Sequence, residues 1–132
     1  MKKVNSILIG VIALLLCTAL NCESGIECIP VKFTNSSSET IYFVNLNGDT
    51  SFDESIFDQD YNSVILMNET LEVTTICPSP LDRNHICYVF KESTLKTHSK
   101  EEIIEKKIYD QKYELKYNEL EAKDFSINYT GD

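Results

Sequence analysis

Positive charge, histidine and long apolar runs are all scarce in this chain. Twelve Lys and Arg face 21 Asp and Glu, a net charge of −9. From Phe33 to Asp82 nine acids occur without a single Lys or Arg. A surface of that sign repels phosphate backbones and anionic head groups, which excludes nucleic acid as a partner. The only histidines, His85 and His98, sit in no nucleophile, triad or metal pattern, and no Cys-x-x-Cys is present. Enzymatic and redox chemistry therefore find no support, and no catalytic residue is assigned. The stretch Val4 to Leu20, free of charge, lies at the lower edge of the roughly twenty apolar residues a spanning helix needs, with no basic stop-transfer cluster behind it.

What is present at the N-terminus is an export signal. Met1-Lys2-Lys3 is a short basic region, Ile7 to Leu16 is an aliphatic core, and small and polar residues follow at once. Cleavage after Ala19 leaves Cys22, Cys28, Cys77 and Cys87, an even set open to three pairings. The alternative reads Ala19-Leu20-Asn21-Cys22 as a lipobox that makes Cys22 a lipidated first residue, with Asn21 where Gly, Ala or Ser is usual. Cysteine parity favours the first cut, because lipid on Cys22 leaves one of three thiols unpaired. In either case Lys2 and Lys3 are lost, and ten basic residues remain against 21 acids, a balance of −11.

The mature part, about 110 residues, is sized for one domain. Aromatic and β-branched residues recur through it, as a packed β core requires. Val31 and Phe33 alternate with polar neighbours, Asn35 to Glu39 has turn chemistry, and Thr40 to Leu46 is a second strand, so the two read as a hairpin. Residues 47–63 show no period and read as a long connection. Val64 to Met67, Leu71 to Cys77 and His85 to Lys91 read as strands, the last of them central because both its faces are apolar. Ser99-Lys100-Glu101-Glu102 is a capping box that starts a helix over about 100–109, with Ile103, Ile104 and Ile108 on its apolar stripe. Tyr113 to Tyr117 and Phe125 to Tyr129 alternate as strands, with a helical turn at Glu119 to Lys123 between them. The pattern predicts an all-β sandwich of six to seven strands, immunoglobulin-like or transthyretin-like in character, with one short helix. Residues 1–21 are then the signal, 22–29 a tether, and 30–132 the domain.

Three features invite chemistry. Asp58, Asp60, Asn62 and Glu69 occupy positions 1, 3, 5 and 12 of a calcium loop, although Ser63 replaces the turn glycine and the flanks are not helical. Cys77 and Cys87 flank a proline-containing loop and can staple it, with Cys28–Cys77 and Cys28–Cys87 also open. Asn-x-Ser/Thr sequons occur at Asn35, Asn68 and Asn128. No cofactor is expected beyond the calcium that this acidic loop would take.

The stretches VKFTNSSSETIYFV, GDTS and YVFKESTLKTHSKEEIIEKKIYDQKYELKYNELEAKDFSINY resemble a group of small uncharacterised lipoproteins of Bacteroidetes. The similarity spans about Cys28 to Tyr129. It implies a looser lipobox, so that Cys22 carries the lipid, Cys17 leaves with the signal and Cys28 belongs to the folded domain. The resulting expectation is an outer-membrane lipoprotein on the periplasmic face or cell surface. Its membrane partner is met through the anchor, and its role is non-enzymatic interaction with protein or glycan. The alternatives are a calcium-stabilised module and a secreted, disulfide-stapled inhibitor-like domain.

Overall fold

The computed structural model describes residues 27–47, 51–57, 62–78 and 85–132. Among these residues seven strands form two sheets. Strands β1 (Ile29–Asn35), β2 (Ile41–Asn47), β3 (Asn62–Ile65), β4 (Thr70–Ile76), β5 (His85–Lys91), β6 (Gln111–Leu115) and β7 (Ser126–Tyr129) follow in chain order. One sheet has the order β4-β1-β7 and the other β3-β2-β5-β6. The chain is a β-sandwich, as its alternation predicts.

The expected hairpin between the first two strands does not form. β1 pairs antiparallel with β4 and parallel with β7, while β2 pairs with β3 and β5 in the other sheet. Residues 36–40 are therefore a corner from sheet to sheet. The reason lies in Asn35, whose side chain is fully buried. Its amide nitrogen donates to the carbonyl oxygens of Glu39, Ile65 and Leu66 at 2.9, 3.0 and 3.2 Å. Its Oδ1 accepts from the Ser37 amide and from the Ser37 hydroxyl. The same residue exchanges backbone bonds with the next turn, Asn35 N–H to Glu69 O and Asn68 N–H to Asn35 O. Of the three sequons, Asn35 is thus an internal clamp.

Two cores result. Between the sheets, Val31 and Phe33 meet Ile41, Phe43, Ile65, Cys87, Val89 and Leu115, all nearly or fully buried. Phe33 is the hub, with ring centres 4.7 Å from Phe43 and 5.7 Å from Tyr113. The second core lies on the outer side of the four-stranded sheet. There Val44, Leu46 and Phe90 pack under Ile56 and Ile103. Strands β2 and β5 are apolar on both faces for this reason. The central position expected of β5 is found.

The cover over that second core is more helical than the sequence pattern suggests. It comprises a 3-10 turn (Glu54–Phe57), α1 (Glu92–Thr97) and α2 (Lys100–Lys106), while α3 (Tyr117–Glu121) joins β6 to β7. Ser99 caps α2, accepting from the Glu102 amide at 3.2 Å. The reciprocal half of the capping box is replaced, because the Glu102 carboxylate binds Lys106 and His98 instead. The helix stops at Lys106, short of 109, since Lys107 turns left-handed (φ 51°) and Ile108 N–H reaches back to Ile103 O. Within the supposed featureless connection, the 3-10 turn drives Ile56 into the core.

The disulfide links Cys28 to Cys77, 49 residues apart, and Cys87 is a buried free thiol. The staple across the proline loop is therefore not made. The pairing Ile29↔Ile76 sets Cys28 and Cys77 side by side at the end of adjacent strands, whereas Cys87 points between the sheets. In the chain-entropy treatment a loop of this length contributes about 4 kcal/mol. Ile29, which the pattern leaves in the tether, already belongs to β1.

Replacing Asn35 by Ala would strand several buried carbonyls and the Ser37 donors at once, at about 1–3 kcal/mol for each group left unpaired. Asn35→Ala is expected to lower the urea unfolding free energy by about 3 kcal/mol or more. A loss under about 1 kcal/mol would show that the corner holds without it.

Candidate functional site

Of the calcium-loop residues, Asp58 and Asp60 lie outside the described residues, as does Cys22. Asn62 opens β3 opposite Val44. Glu69 closes the following turn, its Oε2 accepting from the Leu66 amide at 2.8 Å. A strand rises about 3.3 Å per residue, so β3 keeps Asn62 and the Glu69 carboxylate at opposite ends. Among the described residues no three His, Cys, Asp or Glu gather as a metal-ligand set.

The other chemistry-bearing side chains serve the fold. His98 Nδ1 lies 3.2 Å from Glu102, and the Ser99 hydroxyl is occupied as a helix cap. The Glu102 carboxyl is held below its ordinary range, first by the Lys106 ammonium and then by His98. Asp53 is likewise held low by the hydroxyls of Ser51 and Ser55 and by the Ser55 amide. Burial pushes the Cys87 thiol up to about 12, so it stays protonated at neutral pH and is neither nucleophile nor metal ligand. Its Sγ lies 3.5 Å from Asn45 Oδ1, and Asn45 Nδ2 donates to Thr74 Oγ1 at 2.8 Å, a polar link between the sheets.

The feature that no motif announces is a groove on the helical side. It has a volume of about 430 Å³ and is lined by buried Val44 and Ile56 and by the more open Tyr42, Phe57, Val64 and Leu95. Val64, on edge strand β3, is 48% exposed, a large apolar side chain the cover fails to reach. Phe57 and Lys100 also line a second hollow of about 590 Å³ with Glu54, Ser55, Glu101 and Ile104. Lys100 Nζ sits 5.2 Å from the centre of the Phe57 ring, a cation–π contact. Glu101 is held below its usual range by its own backbone amide and the Ser99 hydroxyl. On the lining of the first groove Asn62 Oδ1 is buried and has no hydrogen-bond partner. Such atoms are costly, at about 1–3 kcal/mol each, unless something pairs with them.

On the same outer face an aromatic cluster continues the surface. Phe52 and Tyr88 lie 4.8 Å apart, Tyr88 and Tyr109 5.1 Å, and Tyr109 is 41% exposed. Chemically the region offers apolar and aromatic faces, an acceptor in Asn62, and charges of both signs. It is suited to holding a ligand with an apolar body and a hydrogen-bond donor. The spacing of Phe52 and Ile56 in an otherwise polar stretch is the one sequence signal for it.

Comparison of the chain with protein-family models, with curated proteins and with solved structures gives no match.

Because Asn62 Oδ1 is buried and unpaired, an apolar side chain of similar size is expected to suit the free protein better. Asn62→Leu should leave the melting temperature unchanged or raise it, by up to about 1 kcal/mol in stability. A clear fall in a thermal melt would show that the amide has a partner in the folded chain.

Proposed function

We propose that the protein is an exported module, anchored to the bacterial outer membrane through a lipid on Cys22, that binds a protein or glycan without chemistry of its own. The basic region, apolar core and cysteine of the N-terminus support the anchor. The Cys28–Cys77 bridge suits an oxidising compartment. The likeness to small Bacteroidetes lipoproteins points the same way. The observation that carries the binding half is the open groove with exposed Val64 and one buried, unpaired polar atom on its lining, Asn62 Oδ1.

The anchor is tested by mass spectrometry and detergent-phase partition of the chain from its native host. An acyl mass on Cys22 is expected, together with a single titratable thiol, Cys87, in the denatured and unreduced protein. No acyl mass, and a second thiol from Cys22, would replace the anchor with cleavage after Ala19. The binding half is tested on peptide and glycan arrays. Val64→Glu and Leu95→Glu are expected to abolish whatever binding the native chain shows while its fold is kept. Binding that ignores both changes, or none at all, would overturn the groove as the site.

A second reading, calcium held near Asp58 and Asp60, is favoured by one observation, the unpaired oxygen of Asn62. Glu69 already serves the Leu66 amide, so the set shrinks to three residues. On this reading millimolar calcium raises the melting temperature and a chelator lowers it, and a melt indifferent to both removes the idea.

A further inference from the structure

The groove beside Val64 and the hollow beside Glu101 are one surface divided by a rib, because Phe57 and Lys100 line both. On one side of the rib the lining is apolar, with buried Val44 and Ile56 among Tyr42, Val64 and Leu95. On the other, Glu54, Ser55 and Glu101 surround Ile104. Volumes of about 430 and 590 Å³ lie in the range of ligand-binding clefts, roughly 300–1,000 Å³.

The charges of the second side are not neutralised within the fold. On the covering helices Lys96 pairs with Glu92 and Lys106 with Glu102. Glu54 and Glu101 are exposed and have no ion pair among the described residues. The cation of this lining, Lys100, keeps its ammonium 5.2 Å from the centre of the Phe57 ring. Asp53, which precedes Glu54, is a further carboxylate held below its ordinary range by the hydroxyls of Ser51 and Ser55. Two acids thus stand against one lysine, in a chain of net charge −9.

Partners of different chemistry meet this surface differently. A glycan that carries charge is mostly anionic, and the acids repel it. A neutral glycan leaves both carboxylates without a counter-charge. A polypeptide offers apolar and cationic side chains next to one another. Its backbone N–H groups also supply the kind of donor that Asn62 Oδ1 lacks.

We propose that the partner is a polypeptide segment in which a bulky apolar residue adjoins a lysine or arginine. The apolar side chain fills the groove between Val44, Val64 and Leu95. The basic one crosses the rib of Phe57 and Lys100 to reach Glu54 and Glu101, and a backbone N–H of the segment donates to Asn62. The assignment rests on the groove reading above and narrows it from protein or glycan to a basic, apolar peptide. The acidic field of the chain draws such a segment in, and salt screens that attraction.

The test presents the whole chain, in nonionic detergent, to an array of short synthetic peptides. Each pairs Leu, Ile or Phe with an adjacent Lys, beside copies in which that Lys is Glu or Gln, and neutral and acidic glycans share the array. Binding of the Lys peptides is expected, about tenfold weaker for the Glu copies and about tenfold weaker at high salt. Glu54→Lys with Glu101→Lys is expected to reverse the preference toward the Glu copies, while Val64→Glu abolishes binding of both. Glu54→Gln with Glu101→Gln, which puts no cation at the start of α2, is expected to erase the preference without reversing it, with the melting temperature kept. Peptides bound through Val64 without regard to the charge beside their apolar residue overturn the proposal and leave the groove reading standing. A preference that neither pair of Glu variants changes does the same, and so do glycans bound in place of peptides. An array on which nothing binds overturns both.

Discussion

The structure depends on one buried side chain at a corner. Asn35 ends β1 in one sheet, and six residues later β2 begins in the other. A chain that leaves a sheet inside a core exposes backbone groups to an apolar surrounding, where each must find a partner. The Asn35 amide meets three carbonyls from two segments, and its oxygen takes both donors of Ser37. The clamp thereby also fixes the β3–β4 turn. The C-terminal tail closes over the same place. Gly131 has φ 87°, and a β-carbon there would lie 2.8 Å from that of Ser37, so close an approach requires glycine. Its carbonyl accepts from Lys91 Nζ at 2.7 Å.

With the corner set, the two sheets acquire unequal duties. The three-stranded sheet buries one face and offers the other to water, with Lys32, Thr34, Thr70 and Glu72 outward. The four-stranded sheet buries both. Its outer face, with Tyr42, Val44, Leu46 and Phe90, needs a cover. The cover is built from helices of six and seven residues and a 3-10 turn. Helices this short do not hold in water by themselves and persist because the sheet gives them an apolar seat. They cover the sheet incompletely toward β3, and the groove is that incompleteness.

This division explains what the sequence discloses. Strict alternation in Val31 to Thr34 and in Tyr113 to Lys116 identifies strands with one wet face, and the two-sided apolar run of His85 to Lys91 identifies a central strand. Ser99 three residues before Glu102 marks the helix start in the right place. Strand pairing is another matter. Asn35-Ser36-Ser37-Ser38 has the chemistry of a tight turn, and the same short polar side chains serve a corner between sheets equally well. The difference lies in Glu39, Ile65 and Leu66, whose carbonyls receive Asn35 and which no local pattern connects to it. The disulfide is hidden for the same reason, since the β1–β4 pairing that brings Cys28 to Cys77 is non-local. The groove is assembled from five elements, and only Phe52 and Ile56 hint at it.

The fold also relates the groove to the start of the first strand. β1 runs from Ile29, beside the disulfide, to Asn35 at the corner, about 20 Å along the strand. A molecule held through residues before Cys28 is held at the end opposite Asn35. The bridge to Cys77 spreads any pull over β1 and β4 together, which protects the central strand of the smaller sheet from being drawn out alone. Tyr42 is the second residue of β2, Val64 pairs with it, and α1 begins where Glu92 N–H bonds Thr40 O. These elements sit at the Asn35 end. The groove on the outer face of the four-stranded sheet therefore lies toward the end of the sandwich away from the disulfide.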